Sequence, residues 1–458
     1  MAELSLSLVL TATNGRVCGA APPVFPGVST DTRTLLPGQL YVALKGERFD
    51  GHEFAAQALA RDAGAVLVSR ELEVAGAQIV VPDTLQALGA IAAAHRRELA
   101  PVVVGVTGSV GKTTTKDMVA AILSQGWRTA KTHGNFNNEI GLPLTLLGLE
   151  PAHQAVVVEM AMRGPGQIEY LASLARPQIG LVTNVGLSHL ELLGTRDAIA
   201  EAKAELLEAL PADGRAILNR DDEYFEFLAA RSAAPVLSFG VHDAAEVRVT
   251  DLSLDAELRA QFRLTGAVEV QVTCGAPGRH HVFNAAAAAA AALAAGAPAE
   301  WIARGLAGYE SGEMRGRVVD AAAGYTVVDD CYNAAPDSMR AALWLLMDTP
   351  GKRKWAALGD MRELGDAAVE QHHEIGRFVG RLGLAGLVTV GELGRHIAEG
   401  AREAGLEAVA EARDNASAAA ELLAHLEVGD AILVKGSRAM QMEEIVRALL
   451  AREGGGHG

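Results

Sequence analysis

The amino-acid sequence predicts an α/β protein of three domains: a small α/β N-terminal domain, a central domain built on a parallel sheet that carries a phosphate loop (P-loop), and a C-terminal Rossmann-like α/β domain. A chain of 458 residues is longer than one hydrophobic core usually serves. Short apolar runs alternate with helical patterns along most of the chain, as they do in α/β folds. This alternation breaks before Pro101 and again in the glycine-rich stretch 308–316. The predicted domains therefore span 1–97, 98–310 and 311–458.

The first block mixes short strands with helices. Apolar runs predict strands at 39–44, 65–69 and 77–81, and helical patterns cover 54–63 and 85–99. The last of these helices ends just before a proline, which is a typical helix boundary.

The central block begins with an apolar strand at 102–107 and a helix that starts near Lys112. Helical patterns separate further apolar runs, and this predicts parallel strands at 155–159, 179–184, 215–219 and 236–239. Alternating residues between 246 and 272 predict antiparallel strands, and an alanine-rich helix follows Asn284.

The C-terminal block again alternates strands with helices, which predicts a second doubly wound domain. Its strands are predicted at 326–330, 355–358, 386–390 and 431–434. The last residues, 453–458, are expected to be a frayed tail.

Composition limits the class of protein. Half of the residues are hydrophobic and 21% are charged, which is the balance of a globular protein. A formal net charge of −16 argues against nucleic acid as the main partner, because a polyanion needs a concentrated basic surface. Three widely spaced cysteines, Cys18, Cys274 and Cys331, fit a reducing compartment. With no signal-peptide pattern and no run suited to a bilayer, a cytoplasmic protein without membrane insertion is expected.

The strongest motif is a glycine-rich loop between the predicted strand and helix of the central block. Its glycines allow the backbone to wrap a phosphate, and the amides that open the next helix point at it. Lys112 is expected to neutralise the β- and γ-phosphates, and Thr113 to place a hydroxyl on magnesium. The general pattern has glycine at position 106, where this chain has Val106. The motif predicts ATP binding by Thr107, Gly108, Ser109, Val110, Gly111, Lys112, Thr113 and Thr114.

Other candidates have ordinary alternatives. Glu159 ends a predicted strand beside the loop, where it is either a magnesium ligand or a surface charge. His189 is a loop histidine, more often structural than ligating. Lys203 lies in an acidic helix, where a solvated lysine is the commoner case. Asn284 is a helix N-cap, a reader of the adenine edge, or both. The adjacent histidines at 280–281 and 372–373 do not predict zinc, because neighbours rarely converge on one ion.

Taken together, these motifs resemble those of the Mur ligase family, the ATP-dependent amide-forming enzymes of peptidoglycan synthesis. The likeness covers nearly the whole chain. Segments 29–33 and 37–52 are similar to the family's uridine-nucleotide domain. The central block adds the phosphate loop, Glu159, an Asn-x-x-x-x-His pattern that ends at His189, and an Ala-Lys-Ala-Glu segment around Lys203. The resemblance assigns uridine-nucleotide contacts to Ser29, Asp31, Thr32, Arg33 and Lys45.

The resemblance also implies a catalytic centre. Lys203 would carry a carbamate that bridges to magnesium, and Thr113, Glu159 and His189 would be further ligands of what are expected to be two ions. Catalytic roles are implied for Lys112, His189 and Lys203.

Within the family, three segments are most similar to the member that adds D-alanyl-D-alanine to UDP-N-acetylmuramoyl-tripeptide. They are 134–141, 329–339 and 359–365. The likeness assigns Arg317 and Asp330 to the nucleotide. It assigns the two other substrates to Asn135, Asn137, Asn138, Asn333, Lys435, Ser437 and Arg438.

Two positions depart from the family pattern. The nucleotide motif usually reads Gly-x-His-Asn-x-x-Asn, and here His281 replaces the first asparagine, so that only Asn284 carries over. Ala335 stands where asparagine is common, which weakens the assignment of that loop to the acceptor.

The implied activity is an ATP-dependent, ADP-forming ligation through an acyl phosphate, by a chain expected to be a cytoplasmic monomer. Three alternatives remain at this point. One is a sibling ligase with another amino-acid acceptor, and a second is a P-loop NTPase that forms no amide bond. The third is a nucleotide-binding scaffold without turnover. The sequence does not decide whether the tripeptide ends in lysine or in diaminopimelate.

Overall fold

The computed structural model of the protein describes residues 3–47 and 49–452. Arg48, which belongs to one of the segments that carry the family resemblance, and the predicted tail at 453–458 lie outside the described residues. Within the described ranges, no helix is both long and apolar enough to cross a membrane.

The N-terminal part is built on a five-stranded sheet in the order β2-β7-β6-β5-β4. Its four strands from β4 to β7 are parallel, whereas β2 runs antiparallel to β7, and β1 pairs with β3 separately. The short strands β1 to β4 were not predicted, because two or three residues carry little periodicity. The strands are β1 Leu4–Ser5, β2 Arg16–Cys18, β3 Val24–Phe25, β4 Val28–Ser29, β5 Leu40–Val42, β6 Ala65–Val68 and β7 Gln78–Val80. The helices are α1 Leu6–Thr13, α2 Ala55–Ala60 and α3 Thr84–Leu99, with a 3₁₀ turn at Gly51–Phe54.

The central part is a nine-stranded sheet in the order β16-β15-β14-β13-β12-β11-β8-β10-β9. Strands β8 to β14 run parallel, and β14, β15 and β16 form the predicted antiparallel extension. The strands are β8 Val102–Thr107, β9 Thr129–Lys131, β10 Ala155–Glu159, β11 Ile179–Val182, β12 Arg215–Asn219, β13 Val236–Gly240, β14 Val247–Leu254, β15 Arg259–Gly266 and β16 Val270–Pro277. The helices are α4 Lys112–Leu123, α5 Gly141–Leu147, α6 Gln167–Ala175, α7 Leu190–Leu193, α8 Arg196–Glu208, α9 Phe225–Ala230, α10 His281–Ala294 and α11 Ala299–Ala307.

One predicted boundary in this part is wrong. The alanine-rich helix α10 begins at His281, before Asn284 rather than after it. Asn284 therefore lies in the first turn of the helix and is not its N-cap, which is His280.

The C-terminal part is a six-stranded sheet in the order β17-β18-β22-β19-β20-β21. It is parallel except for the edge strand β17, as expected for a Rossmann-like domain with an added antiparallel edge. The two edge strands β17 and β21 were not predicted. The strands are β17 Arg317–Asp320, β18 Thr326–Asp329, β19 Lys354–Gly359, β20 Gly386–Val390, β21 Val409–Ala412 and β22 Ala431–Lys435. The helices are α12 Pro336–Asp348, α13 Ala368–Leu382, α14 Gly394–Glu403, α15 Asn415–His425 and α16 Glu443–Leu450, with 3₁₀ turns at Gly365–Ala367 and Arg438–Met440.

Contacts between the three parts position the carboxyl ends of the central strands. Helix α3 packs against α5 and α6, and His95 Nε2 lies 3.0 Å from the carbonyl oxygen of Leu149, which joins the first and central parts. On the other side, the amide of Glu191 donates to the carbonyl of Glu363 at 3.2 Å. The carboxyl edge of the central sheet therefore faces the C-terminal part across a cleft, the place where open α/β sheets bind ligands.

Candidate active site

The phosphate loop joins β8 to α4, and two of its glycines adopt backbone angles that other residues avoid. Gly108 has φ +144° and Gly111 has φ +85°. A Cβ at Gly108 would clash with Thr183, and one at Gly111 would clash with Asn284. Val106, which departs from the general motif, is buried within β8 and needs no such conformation. The departure therefore leaves the loop itself intact.

The loop is held by the residues that follow β11. Ser109 N donates to the carbonyl of Asn184 at 3.0 Å, and Val110 N donates to Asn184 Oδ1, also at 3.0 Å. Thr183 Oγ1 donates to the carbonyl of Val110 at 2.6 Å. These contacts fix the loop backbone before any ligand arrives, which lowers the cost of ordering on binding.

Lys112 is the first residue of α4, and its ammonium folds back over the loop. Nζ donates to the carbonyl of Gly108 at 2.7 Å and to that of Ser109 at 3.2 Å. Burial lowers the pKa of Lys112, with Glu159 opposing the shift and Arg315 adding to it. An anion beside this ammonium would restore favourable charge balance.

Glu159 ends β10, directly beside β8, and the residue is 2% exposed. One oxygen, Oε1, accepts from Asn137 Nδ2 at 2.8 Å. The other, Oε2, is buried and has no hydrogen-bond partner among the residues that the structure describes. An unpartnered carboxylate oxygen is costly unless a cation or a donor occupies the position next to it. The alternative of an ordinary surface charge does not describe this residue.

The three asparagines predicted to bind substrate behave differently. Asn137 orients Glu159, and Asn138 Oδ1 accepts from Gly141 N at 2.9 Å, which caps the start of α5. Asn135 is exposed in the preceding loop.

His189 adopts a left-handed conformation with φ 67° just before α7. Its Nδ1 lies 2.6 Å from Glu363 Oε2 of the C-terminal part. This contact with His189 lowers the pKa of Glu363, and burial opposes the shift. Glu363 lies in a segment that carried the family resemblance, yet it was not singled out as a site residue.

Lys203 is not the solvated lysine that helix spacing favours. It is 1% exposed on α8, and among the described residues its ammonium makes no hydrogen bond or ion pair. Burial holds its pKa well below the ordinary value, and the Lys112 charge lowers it further. The burial of Lys203 therefore shifts its equilibrium towards the neutral amine, and Lys203 is not among the described residues that line the cavity described below.

The C-terminal wall carries a buried lysine. Lys435 Nζ lies 2.5 Å from Asp330 Oδ2 and donates to the carbonyl of Asn333 at 2.8 Å. Ser437 instead accepts from the amide of Arg362 at 2.9 Å, and Arg438 pairs with Glu443 at 2.8 Å. Neither Ser437 nor Arg438 is among the described residues that line the cavity.

Of the two arginines that flank Gly316, Arg315 reaches the cavity and Arg317 does not. Arg317 begins β17 and is exposed, outside the lining set among the described residues. Arg315 lines the cavity with its guanidinium 3.9 Å from the centre of the Tyr332 ring. Within the described chain it has no carboxylate partner. The sequence did not predict this role for Arg315. Arg315 and Arg317 are only two residues apart, and the sequence does not show which of the two side chains points into the cavity.

His281, the departure from the family's nucleotide motif, is buried in the cavity wall. Within the described part of the chain both of its ring nitrogens lack hydrogen-bond partners, and its ring packs near those of His280 and Tyr309. Burial holds its pKa well below the ordinary value. Asn284, one turn later, approaches the loop helix, where its Oδ1 accepts from Thr115 Oγ1 at 3.4 Å.

The residues assigned to the uridine nucleotide form a separate group in the first part. Ser29 Oγ donates to the carbonyl of Asp31 at 2.9 Å, and Arg33 pairs with the Asp31 carboxylate at 2.7 Å. Thr32 Oγ1 donates to Gln57 Oε1 at 3.0 Å, and Lys45 is exposed. None of these side chains is among the described residues lining the cavity at the phosphate loop.

The cavity occupies about 800 Å³ between the central and C-terminal parts. It brings together candidates from distant stretches of the chain: Ser109 to Thr114, Asn137, Glu159, His189, Asn284, Asp330, Asn333 and Lys435. The described residues include no group of three or more histidine, cysteine, aspartate or glutamate side chains placed to hold a metal by themselves. Magnesium does not need such a group, since it usually keeps waters and phosphate oxygens as ligands.

Comparison with known families accounts for this arrangement. Family models match at residues 25–99 (Mur ligase family, catalytic domain), 106–292 (Mur ligase middle domain) and 314–438 (Mur ligase, glutamate ligase domain). The chain belongs to the Mur ligase family, and the predicted three-domain α/β fold is confirmed.

Individual relatives extend over almost the whole chain. It is 42% identical to the UDP-N-acetylmuramoyl-tripeptide–D-alanyl-D-alanine ligase of Synechocystis, over 93% of this chain and 92% of the relative. It is 39% identical to the ligase of the same name from Escherichia coli, over 98% and 99%. A crystal structure of MurF from Acinetobacter baumannii matches with a TM-score of 0.93 at 33% identity, over 99% of this chain and 100% of that one. MurF from Thermotoga maritima in complex with ADP matches with a TM-score of 0.81 at 27% identity, over 92% and 96%.

Proposed function

We propose that the protein joins D-alanyl-D-alanine to UDP-N-acetylmuramoyl-tripeptide with cleavage of ATP to ADP and phosphate, a cytoplasmic step of peptidoglycan synthesis. One observation carries the proposal. The phosphate loop, Glu159, and the C-terminal residues Asp330 and Lys435 open into a single cavity in a chain whose relatives of this name align almost end to end. Such a cavity lets one site activate a carboxylate and present it to an amine.

The proposed nucleotide position follows from the loop. The β- and γ-phosphates lie against the loop amides and Lys112, with the terminal phosphate towards Glu159. Arg315 supplies a further positive charge from the C-terminal side. We assign Asn284 to the same nucleotide, since it touches the loop helix from α10.

The residues also fit magnesium. The unpartnered Oε2 of Glu159, the Thr113 hydroxyl and one nitrogen of His189 are the protein ligands that we assign, and bound magnesium would offset phosphate charge during the reaction. A carbamate on Lys203 would add an anion for a second ion. Its support is the buried, unpaired amine, because carbamate formation requires a neutral nitrogen.

The proposed chemistry has two steps. An oxygen of the tripeptide carboxylate attacks the γ-phosphorus, the bond to the β-phosphate oxygen breaks, and ADP leaves. The dipeptide amine then attacks the acyl carbon, the bond from that carbon to the bridging oxygen breaks, phosphate leaves carrying the bridging oxygen, and the amine loses a proton. Lys112 and the helix terminus offset repulsion between two anions in the first step. Water must be excluded before the second step, and we assign this role to the C-terminal wall of the cavity.

We assign the remaining roles by domain. Residues 1–97 hold the uridine nucleotide through Ser29, Asp31, Thr32, Arg33 and Lys45. Residues 98–310 hold ATP. Residues 311–458 hold the acceptor dipeptide, with Asn333 and Lys435 at the cavity wall. We also propose that the protein acts as a monomer, and sedimentation equilibrium of the purified chain tests this point.

The decisive experiment measures ATP-dependent phosphate release with UDP-N-acetylmuramoyl-tripeptide as the donor. Parallel reactions contain D-alanyl-D-alanine, diaminopimelate, lysine or no acceptor, and product is identified by mass. Release that requires D-alanyl-D-alanine supports the proposal. Release with another acceptor indicates a sibling ligase, and release without any acceptor indicates an NTPase that forms no amide bond. Tripeptides ending in lysine and in diaminopimelate are compared as donors.

A further inference from the structure

A glutamate of the C-terminal part reaches across the cleft to a histidine that we assign to magnesium. Glu363 Oε2 lies 2.6 Å from Nδ1 of His189. The two backbones meet at the same place, because the amide of Glu191 donates to the carbonyl of Glu363 at 3.2 Å. A Cβ added at Gly365 would lie 2.9 Å from the Cα of Glu191, so this close approach requires glycine. Both the side chain and the main chain of Glu363 therefore contact the start of α7.

Glu363 and His189 also share an uncommon backbone conformation. The φ angle is 65° at Glu363 and 67° at His189. Left-handed backbone is rare outside glycine, and a long side chain such as glutamate adopts it only where the surrounding structure imposes it. Residues of this kind cluster at functional sites. The contact thus joins two residues whose backbones are both held in a strained form.

Buried groups hold the segment that carries Glu363. The amide of Met361 donates to Nε2 of His372 at 2.8 Å, and the amide of Arg362 donates to Ser437 Oγ at 2.9 Å. His372 is completely buried and Ser437 is 3% exposed. The two residues before Glu363 are therefore fixed to the C-terminal core. Its carboxylate is presented to the cleft from a rigid support rather than from a free loop.

The position of this carboxylate decides which nitrogen of His189 is free. A neutral imidazole carries one N–H, and the group beside each ring nitrogen determines which nitrogen bears it. With Glu363 as the acceptor, Nδ1 bears the proton and Nε2 keeps its lone pair. His189 lines the cavity at the phosphate loop. Nε2 is then the nitrogen available to a magnesium ion.

We propose that Glu363 is a positioning residue for the magnesium site, which holds His189 in the Nδ1–H form so that Nε2 binds the ion. The inference rests on the proposed assignment of His189 to magnesium. Glu363 belongs to the C-terminal part and His189 to the central part, so this support exists only while the two parts are docked. Metal binding at His189 and docking of the C-terminal part therefore favour each other.

The form of the ring can be measured without metal or turnover. Nitrogen-15 NMR of the full chain with labelled histidine, at a pH where the ring is neutral, distinguishes the two forms. The signals missing from His189→Asn identify His189. The parent and Glu363→Gln, which keeps an acceptor oxygen, should show the Nδ1–H form. Glu363→Ala should shift towards a mixture of both forms, and the matched control Glu370→Ala, an exposed glutamate of α13, should resemble the parent.

Metal affinity provides the second readout. Calorimetry measures the binding of a non-hydrolysable ATP analogue with and without magnesium, and the ratio of the two dissociation constants reports the contribution of the ion. In Glu363→Ala this ratio should fall by about tenfold or more, the usual effect of removing a group that orients a metal ligand. Binding without magnesium should stay within a few fold of the parent. Glu370→Ala should keep the parent ratio.

The outcomes separate this inference from the proposed function. A parent in the Nε2–H form would overturn the positioning role, and so would an unchanged ring form or an unchanged magnesium ratio in Glu363→Ala that thermal unfolding shows to be folded. Each of these leaves the ligase assignment standing. A parent whose affinity for the analogue does not respond to magnesium would overturn both the inference and the metal assignment. A parent that shows both expected effects but forms no product with D-alanyl-D-alanine would support the inference and refute the ligase assignment.

Discussion

Replacing Lys203 tests the part of the proposed site that depends most on packing between residues far apart in the chain. Its side chain is 1% exposed, and burial holds the pKa of the ammonium well below its ordinary value. Arginine at this position cannot lose its proton, so Lys203→Arg should bury an unpaired charge and destabilise the fold by several kcal/mol. Methionine has a similar length and no charge, so Lys203→Met should change stability by less than about 1.5 kcal/mol.

Loss of activity should occur without loss of stability when Lys203 is replaced by a neutral residue. If Lys203 carries a carbamate, Lys203→Met should fold normally yet lose about a hundredfold or more in kcat, the cost of removing one preorganised charge contact. Added short carboxylic acids, which can occupy the vacated anionic position, should restore part of the activity to Lys203→Ala.

The assays are thermal unfolding, phosphate release and carbon-13 NMR of protein equilibrated with labelled carbon dioxide. The parent should show a carbamate resonance that Lys203→Met lacks, and degassed buffer should lower parent activity until bicarbonate is returned. Full activity in Lys203→Met, or no carbamate resonance in an active parent, would refute the reasoning and leave Lys203 as a buried structural amine.

Three further changes probe the rest of the site. Glu159→Gln should raise the magnesium concentration needed for half-maximal phosphate release by about tenfold or more, because the amide keeps the shape without the charge; an unchanged titration would remove Glu159 from the metal site. Arg315→Ala should weaken MgATP binding about tenfold or more, whereas the neighbouring control Arg317→Ala should leave the calorimetric affinity near that of the parent; the reverse order would contradict the placement of these arginines. His281 is held neutral by burial, so protons taken up by the unfolded chain below about pH 6.5 should reduce stability by up to about 1.4 kcal/mol per pH unit. His281→Asn and His281→Gln should lose this part of the slope in chemical unfolding measured between pH 7.5 and 4.5, and slopes identical to the parent's would refute it.

The pH effect has a definite sign. A histidine whose pKa is lowered by folding binds fewer protons in the native state than in the unfolded state. Stability is therefore complete above the unfolded value and falls as the pH drops towards the folded value. Two neutral replacements of different size are used because packing changes shift total stability, whereas only the loss of the titrating group changes the slope.

Local patterns were sufficient for the elements that surround the phosphate loop. Strand β8, strand β10 and the start of α4 lie where the sequence predicts them, because long apolar strands and a glycine-rich strand–helix turn are encoded by neighbouring residues. The edge strands β9, β17 and β21 were missed, since short strands at a sheet edge carry weak patterns and depend on a partner strand for their pairing.

The sequence by itself determined that three α/β domains follow one another along the chain, that a phosphate loop joins β8 to α4, and to which family the chain belongs. Tertiary structure alone decided that Lys203 is buried rather than solvated and that Arg315 rather than Arg317 enters the cavity. It also decided that His189 meets Glu363 across the cleft. Each of these facts depends on packing between residues far apart in the chain, which changes dielectric environment and charge partners without leaving any periodic trace in the sequence.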